Sequence, residues 1–353
     1  MRLEFIDKVK ANDILGKNVL SNDGKILLSA GLRLDCIYIK KLKELGIFCI
    51  YIEDERLEDV KIEKKKFSEL KQLSMKNMSN IMKNVYGSGD TNIREVASVV
   101  EDLIDCIIGM GDVSKSLYDI QDFDNLTYFH SIDTCIMSSF LGIASGIDKE
   151  ELVELGLASM LHDIGKTKVP RNIVCKAGPL TNDEYTEMQK HAIYGVEVLS
   201  KGNYVSKNVI EAVGQHHERY DGRGYPYGLK GEQISKHAKL IGICDVFDAV
   251  SSDRSYRAKI SPGEAYKIII QGSGSFFDGR VVENFRKTFA VYPLGSCVKL
   301  SNEIEGYVIK QNSNFPDKPV IRVLYDNITR RPVPFYEIDL LNRFELNIKD
   351  MVV

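Results

Sequence analysis

The feature that most constrains this chain is Leu161-His162-Asp163-Ile164-Gly165-Lys166, which sets an imidazole, a carboxylate and an ammonium within about a turn and a half of helix. A His–Asp dipeptide alone reads equally well as a buried histidine satisfied by its neighbour. Its setting argues for more. The chain has six histidines, and besides His162 they stand at His130, His191, His216, His217 and His237, all within one third of the sequence. Chance placement would have scattered some into the flanks.

At 353 residues the chain exceeds one ordinary core and predicts two or three units. Its net charge of −3 gives no general pull toward nucleic acid or anionic lipid, so any polyanion it handles must be gripped locally. The seven cysteines (Cys36, Cys49, Cys106, Cys135, Cys175, Cys244, Cys297) are scattered and never form a CxxC pair, which predicts reduced, buried thiols. No apolar run approaches the ~18 residues of a membrane span, and the first residues lack a signal pattern. The expected compartment is the cytoplasm.

Hydrophobic periodicity and caps divide the chain. Residues 1–55 predict a small α+β module, with a hairpin over Val19–Leu28, a helix over Ile37–Leu45 ended by Gly46, and a strand over Ile47–Ile52. A charged linker and leading helices at about 67–86 and 92–109 fill residues 56–120. Residues 121–290 predict a run of helices, with capping boxes at Asp148–Glu151 and Thr181–Glu184, a proline start at Pro262, and Asp278 capping the last helix to about Ala290. From 291 to 353 the period becomes two, as in Cys297–Leu300, Gly306–Ile309 and Val320–Leu324, predicting a small antiparallel β unit. The fold class is thus mainly α, an all-helical core flanked by two small units.

A dinuclear metal site needs a carboxylate that can bridge, several neutral imidazoles and open positions. The helical region supplies them. His130 is expected mid-helix, His191 on the helix opened by Thr181, and His216-His217 at the close of another helix. Asp245 lies in an otherwise apolar stretch, where an unpaired carboxylate would be costly. Singly each reads as a satisfied core residue; five histidines and two embedded aspartates together favour a metal site. His237 lacks such partners and reads as structural. Lys166, Arg254 and Arg257 could grip phosphate, the two arginines sharing a helix face, or those arginines could pair with surface acids.

These residues resemble the HD-GYP family of the HD phosphohydrolase superfamily. His162-Asp163-Ile164-Gly165-Lys166 looks like its HDxGK element, and His216 to Pro226 fits its HHExxxGxGYP signature. Asp245-Val246-Phe247-Asp248-Ala249 through Arg257 resembles the segment closing the family's site. The resemblance implies an all-helical phosphodiesterase that hydrolyses cyclic di-GMP, in some members cyclic GMP-AMP, to linear dinucleotide or GMP by attack of a metal-bridging hydroxide. It implies metal ligands at His130, His162, Asp163, His191, His216, His217 and Asp245, with Asp163 bridging iron or, second, manganese. Lys166, Arg254, Arg257 and Tyr225 would contact substrate, and the Gly224-Tyr225-Pro226 turn would be a rigid loop at the site's mouth or a surface for a protein partner. A homodimer is compatible with the leading helices; a nucleic acid polymer is not an expected partner. The rival reading is a cyclic-dinucleotide sensing or docking module without turnover. Ligand integrity separates the two, and none of the seven is missing.

Family members with a third metal carry a glutamate one turn before the first histidine, where this chain has Leu126. Residues four apart share a helix face, so Leu126 offers only hydrocarbon beside His130. Metal analysis of protein prepared with excess iron or manganese should therefore give about two ions per chain, as the ligand set allows. Leu126→Glu is the change expected to create a third site, and a fully occupied third ion in the unaltered chain would refute the reading.

Overall fold

A computed structural model of the chain describes residues 1–21, 25–60, 93–109, 115–116, 127–176, 178–201, 205–251, 262–312, 314–326, 329 and 331–352. The Asp23-Gly24 turn, the helix expected over 67–86, Leu126, Arg254 and Arg257 lie outside the described residues. The chain separates into two compact units, one built from both ends of the sequence and one from its middle.

In the terminal unit, strand β1 (Arg2–Phe5) pairs antiparallel with β4 (Cys49–Ile52), and the short strands β2 (Val19–Leu20) and β3 (Ile26–Leu28) pair with each other. Helix α1 (Cys36–Glu44) starts one residue earlier than its periodicity suggests, because the Asp35 carboxylate accepts from the Tyr38 amide at 2.8 Å. Strand β5 (Lys115–Ser116) runs parallel to β6 (Phe289–Ala290). The C-terminal strands β7 (Cys297–Leu300), β8 (Glu305–Asn312), β9 (Phe315–Tyr325), β10 (Pro332–Asp339) and β11 (Ile348–Met351) form an antiparallel sheet in the order β10-β9-β8-β7-β11. Both β10 and β11 escape the sequence pattern, since prolines interrupt one and alternating charge blurs the other. The sequence lists the two ends as separate stretches, yet Met1, Leu3, Phe5 and Tyr51 share one core with Val298, Leu300, Val308 and Ile321. Arg322 reinforces that union by reaching Asp59 at 2.6 Å and Glu337 at 2.9 Å.

The helical unit begins with α2 (Ile93–Gly109), whose buried Ile93, Val96, Val100, Leu103, Ile104 and Ile107 form one stripe. Helices α3 (Thr127–Ala144) and α4 (Lys149–Leu161) turn on Gly146, whose φ of 73° suits a residue without Cβ. Packed by α2 and α3, α4 is buried at every position from Leu155 to Leu161 and is enclosed all round over that stretch. At its start Asp148 accepts from the Glu151 amide at 2.9 Å, but the return bond of a capping box is missing. Glu151 turns instead to Lys236, at 3.0 Å, and His237, at 3.3 Å.

After a 3-10 turn over Ile164–Lys168 come α5 (Arg171–Val174), α6 (Asn182–Gln189), α7 (His191–Ser200) and α8 (Lys207–Gln215). They are followed by α9 (Lys236–Ser251), α10 (Pro262–Gln271) and α11 (Gly279–Thr288), the last ending two residues short of Ala290, which joins β6. The cysteines are thiols, and burial is confined to Cys135 and Cys244; Cys36, Cys106 and Cys175 are exposed, correcting the expectation of buried thiols throughout. No helix among the described residues is long and apolar enough to cross a membrane.

The 3-10 turn packs on α7 so closely that a Cβ on Gly165 would stand 1.9 Å from the His191 carbonyl oxygen and 2.5 Å from the Gly195 amide nitrogen. Both neighbours are backbone and cannot swing aside. Gly165→Ala should cost roughly 3 kcal/mol or more, at the upper end for overpacking, read from chemical denaturation of the metal-free protein. A midpoint equal to that of the parent chain would disprove the contact.

Candidate metal centre

Three of the histidines sit just past helix ends, where the last carbonyls have no intrahelical donor. His162 follows α4, His191 follows α6, and His216 follows α8. Each turns its Nδ1–H back to the carbonyl three residues earlier: His162 to Ser159 at 2.7 Å, His191 to Met188 at 2.6 Å and His216 to Val213 at 2.7 Å. One interaction thus caps a helix and fixes a tautomer, leaving Nε2 as a bare lone pair aimed inward. His191 itself does not lie on the helix opened by Thr181, as its sequence suggests. That helix ends at Gln189 with no buried residue, and His191 opens the next, buried one.

His130 lies on α3. Its Nδ1 meets Asp248 Oδ2 at 2.5 Å, and its Nε2 lies 3.0 Å from Asp245 Oδ1. Asp163 Oδ1 is 3.5 Å from His191 Nε2, while its Oδ2 is 3.5 Å from His162 Nε2 and 2.5 Å from Lys166 Nζ. His217 Nδ1 is 3.7 Å from Asp245 Oδ2. Three overlapping groups result, His191 with His216 and His217, His130 with His162 and Asp245, and His162 with Asp163 and His216, each with ligand atoms within 4.8 Å of one another.

This donor set fits divalent cations. His191 Nε2 and His216 Nε2 face each other at 3.3 Å, although both rings already spend their proton on a carbonyl. Two lone pairs that close repel unless a cation lies near both. His162 Nε2, fully buried, has no hydrogen-bond partner among the described residues, which suits an imidazole that ligates a metal.

The electrostatics agree. Burial holds His191 and His216 down to about 4, and pushes His162 and His217 below the ordinary histidine value, against the pull of Asp163 and Asp245. Burial alone would raise both aspartates, but Lys166 and the surrounding histidines hold Asp163 well below the usual carboxylate range, and His130 with its neighbours does so for Asp245. Neutral imidazoles beside ionised carboxylates are what metal ligation requires.

The Gly-Tyr-Pro loop closes one side. Tyr225 stacks on His217, centroids 4.7 Å apart at 29°, ahead of a cis Tyr225–Pro226 bond, and burial pushes its hydroxyl up. Glu218 shapes the loop by accepting from the amides of Tyr227, Gly228 and Leu229 at 2.7, 3.1 and 3.0 Å. Neither Glu218 nor Asp248 is assigned a task by sequence reasoning. Asp248 had a readable signal, three residues after Asp245 on one helix; Glu218, whose partners are all backbone, had none. His237 stays apart, buried beside Glu151.

Because the folded pKa of His191 and His216 lies near 4 against 6.5 for the free side chain, the unfolded chain takes up protons first as pH falls. Metal-free protein should therefore lose stability between about pH 6.5 and 4, a window above the one set by Asp163 and Asp245, whose contributions are lost only on further acidification. Thermal melting at pH 7 and pH 5 checks this, and an unchanged midpoint would contradict it.

Both units are similar to known proteins. Residues 134–281 match the HD domain, a range that begins just after His130, and residues 297–353 match a KOW domain associated with the HD domain. The chain is 33% identical over 244 residues to a cyclic di-GMP phosphodiesterase of Pseudomonas aeruginosa, covering 69% of this chain and 59% of that protein. It is 44% identical over 135 residues to a probable cyclic di-GMP phosphodiesterase of Vibrio cholerae, covering 36% and 31%. A 3'3'-cGAMP-specific phosphodiesterase of Vibrio cholerae is 36% identical over 139 residues, covering 39% and 27%. The chain thus spans less than two thirds of the length of these relatives. In fold it is similar to an HDG"Y"P protein of Bdellovibrio bacteriovorus, with a TM-score of 0.50 at 16% identity over 80% of this chain and 97% of that one. The helical unit thus carries the HD domain over residues 134–281, and the C-terminal sheet the KOW domain associated with it.

Proposed function

We propose that this chain is a metal-dependent phosphodiesterase that hydrolyses a cyclic dinucleotide, cyclic di-GMP first and cyclic GMP-AMP second, and that His130, His162, Asp163, His191, His216, His217 and Asp245 hold two divalent ions, iron or manganese. The observation that carries the reading is the facing pair of unprotonated Nε2 atoms on His191 and His216, within reach of Asp163. The names of the similar proteins point to the same substrate class.

Bound at these residues, divalent ions would lower the pKa of a coordinated water and neutralise charge developing on a phosphoryl group. The chain's own contribution is positioning and charge. Asp163 has one oxygen toward His191 and the other toward His162, so it suits a ligand shared between two ions. Lys166 ends beside that carboxylate and would take a non-bridging phosphate oxygen, stabilising the charge that builds up as the bond to the 3′ oxygen breaks. Tyr225, stacked on His217, would wall one side of the substrate cleft and keep water away from it. Arg254 and Arg257 are assigned the flanking phosphate on sequence alone.

Incubating metal-loaded protein with cyclic di-GMP or cyclic GMP-AMP and identifying the products tests the reading. Linear dinucleotide or GMP is expected; intact substrate with both ions bound would favour the sensing module. Asp163→Ala should lose bound metal together with hydrolysis, and a full metal complement in that variant would end its shared role. Lys166→Ala should keep its metal while losing roughly 1.5–3 kcal/mol of substrate or transition-state binding, the range for a charge-assisted hydrogen bond. A metal-free Lys166→Ala protein would mean that the lysine supports the ligands and not the substrate.

A further inference from the structure

We propose that Asp248 is the positioning residue for His130, clamping the imidazole so that Nε2 faces the metal centre. The inference rests on the metal reading above and adds a residue that the seven-ligand set omits.

The geometry begins with where each histidine can send its Nδ1–H. His162, His191 and His216 lie past helix ends and use carbonyls left over in the last turn, those of Ser159, Met188 and Val213. His130 lies within α3, where the carbonyl ladder is spoken for by the helix itself. Its Nδ1–H needs an acceptor from elsewhere, and α9 provides one: Asp248 Oδ2 at 2.5 Å, on a residue only 1% exposed. The same helix provides Asp245, three residues earlier and hence on the same face, whose Oδ1 lies 3.0 Å from His130 Nε2.

One imidazole is therefore held between two carboxylates of one helix, a different arrangement from the other three. A carboxylate acceptor does more than a carbonyl. It fixes the ring's rotation, and through the hydrogen bond its charge makes Nε2 a stronger donor toward a cation. It also ties α3 to α9, so the group formed by His130, His162 and Asp245 keeps its shape only while these two helices stay in register. The group formed by His191, His216 and His217 has no member on either helix and should not depend on Asp248.

The test uses the full chain, stripped of metal and titrated with Mn2+, comparing the parent with Asp248→Asn and Asp248→Ala. Both variants should bind one of two ions with affinity weakened roughly 10–100-fold, Asn at the lower end, while the second ion is held as before. The paramagnetic resonance spectrum should change from that of a coupled pair to that of an isolated Mn2+ at concentrations that saturate the parent. The Asn variant is nearly isosteric, so its metal-free form should melt where the parent does. Undiminished binding of both ions, equal weakening of both, or a large fall in the melting temperature of metal-free Asp248→Asn would each overturn the assignment. Failure of the parent itself to bind Mn2+ would overturn the metal reading along with it.

Discussion

Everything in the helical unit answers to one cost, that of burying two ionised carboxylates and several imidazoles where little water reaches. Asp163 and Asp245 are 1% and 5% exposed, and an isolated charge so placed would be untenable. The chain meets the cost in layers. Lys166 supplies a charge partner for Asp163, and the neutral histidines spend their Nδ1 protons on groups outside the cluster. What remains unspent is a set of lone pairs turned toward each other. The arrangement is unfavourable by itself and becomes favourable around cations.

That requirement explains the architecture around it. Helix α4 is enclosed on all sides because it has to deliver His162 and Asp163 to the middle of the unit, and α6 stops short of His191 because the chain must drop from the surface into the core at that point. Gly165 lets the turn carrying Asp163 press against the backbone of α7, which brings the carboxylate to His191. The ligands come from several different helices, so their mutual distances depend on packing between helices more than on any one helix.

Much of this could be read from the sequence. The helical class, the clustered histidines and the aspartate in an apolar stretch follow from periodicity, caps and the cost of buried charge. Less legible was whatever depends on a partner distant in sequence. Asp248 looks like one polar residue near the end of a helix until α3 is seen beside it, and Glu218 serves backbone amides that no side-chain pattern announces. The union of Met1–Phe5 with the C-terminal sheet is of the same kind, since neither stretch carries a mark of the other. The helix break at Lys190 escaped notice because the sequence continues with good helix formers and the turn conforms to αR geometry.

The histidines that cap helix ends have a consequence for how metal is acquired. Their Nδ1 bonds are made by the protein alone, so the rings are oriented before any ion arrives, and loading need not be accompanied by folding. A site built in this way wastes little affinity on ordering itself. Its neutral nitrogen and carboxylate donors also impose no sharp choice among first-row dications, for which such ligands differ mainly by the general affinity series.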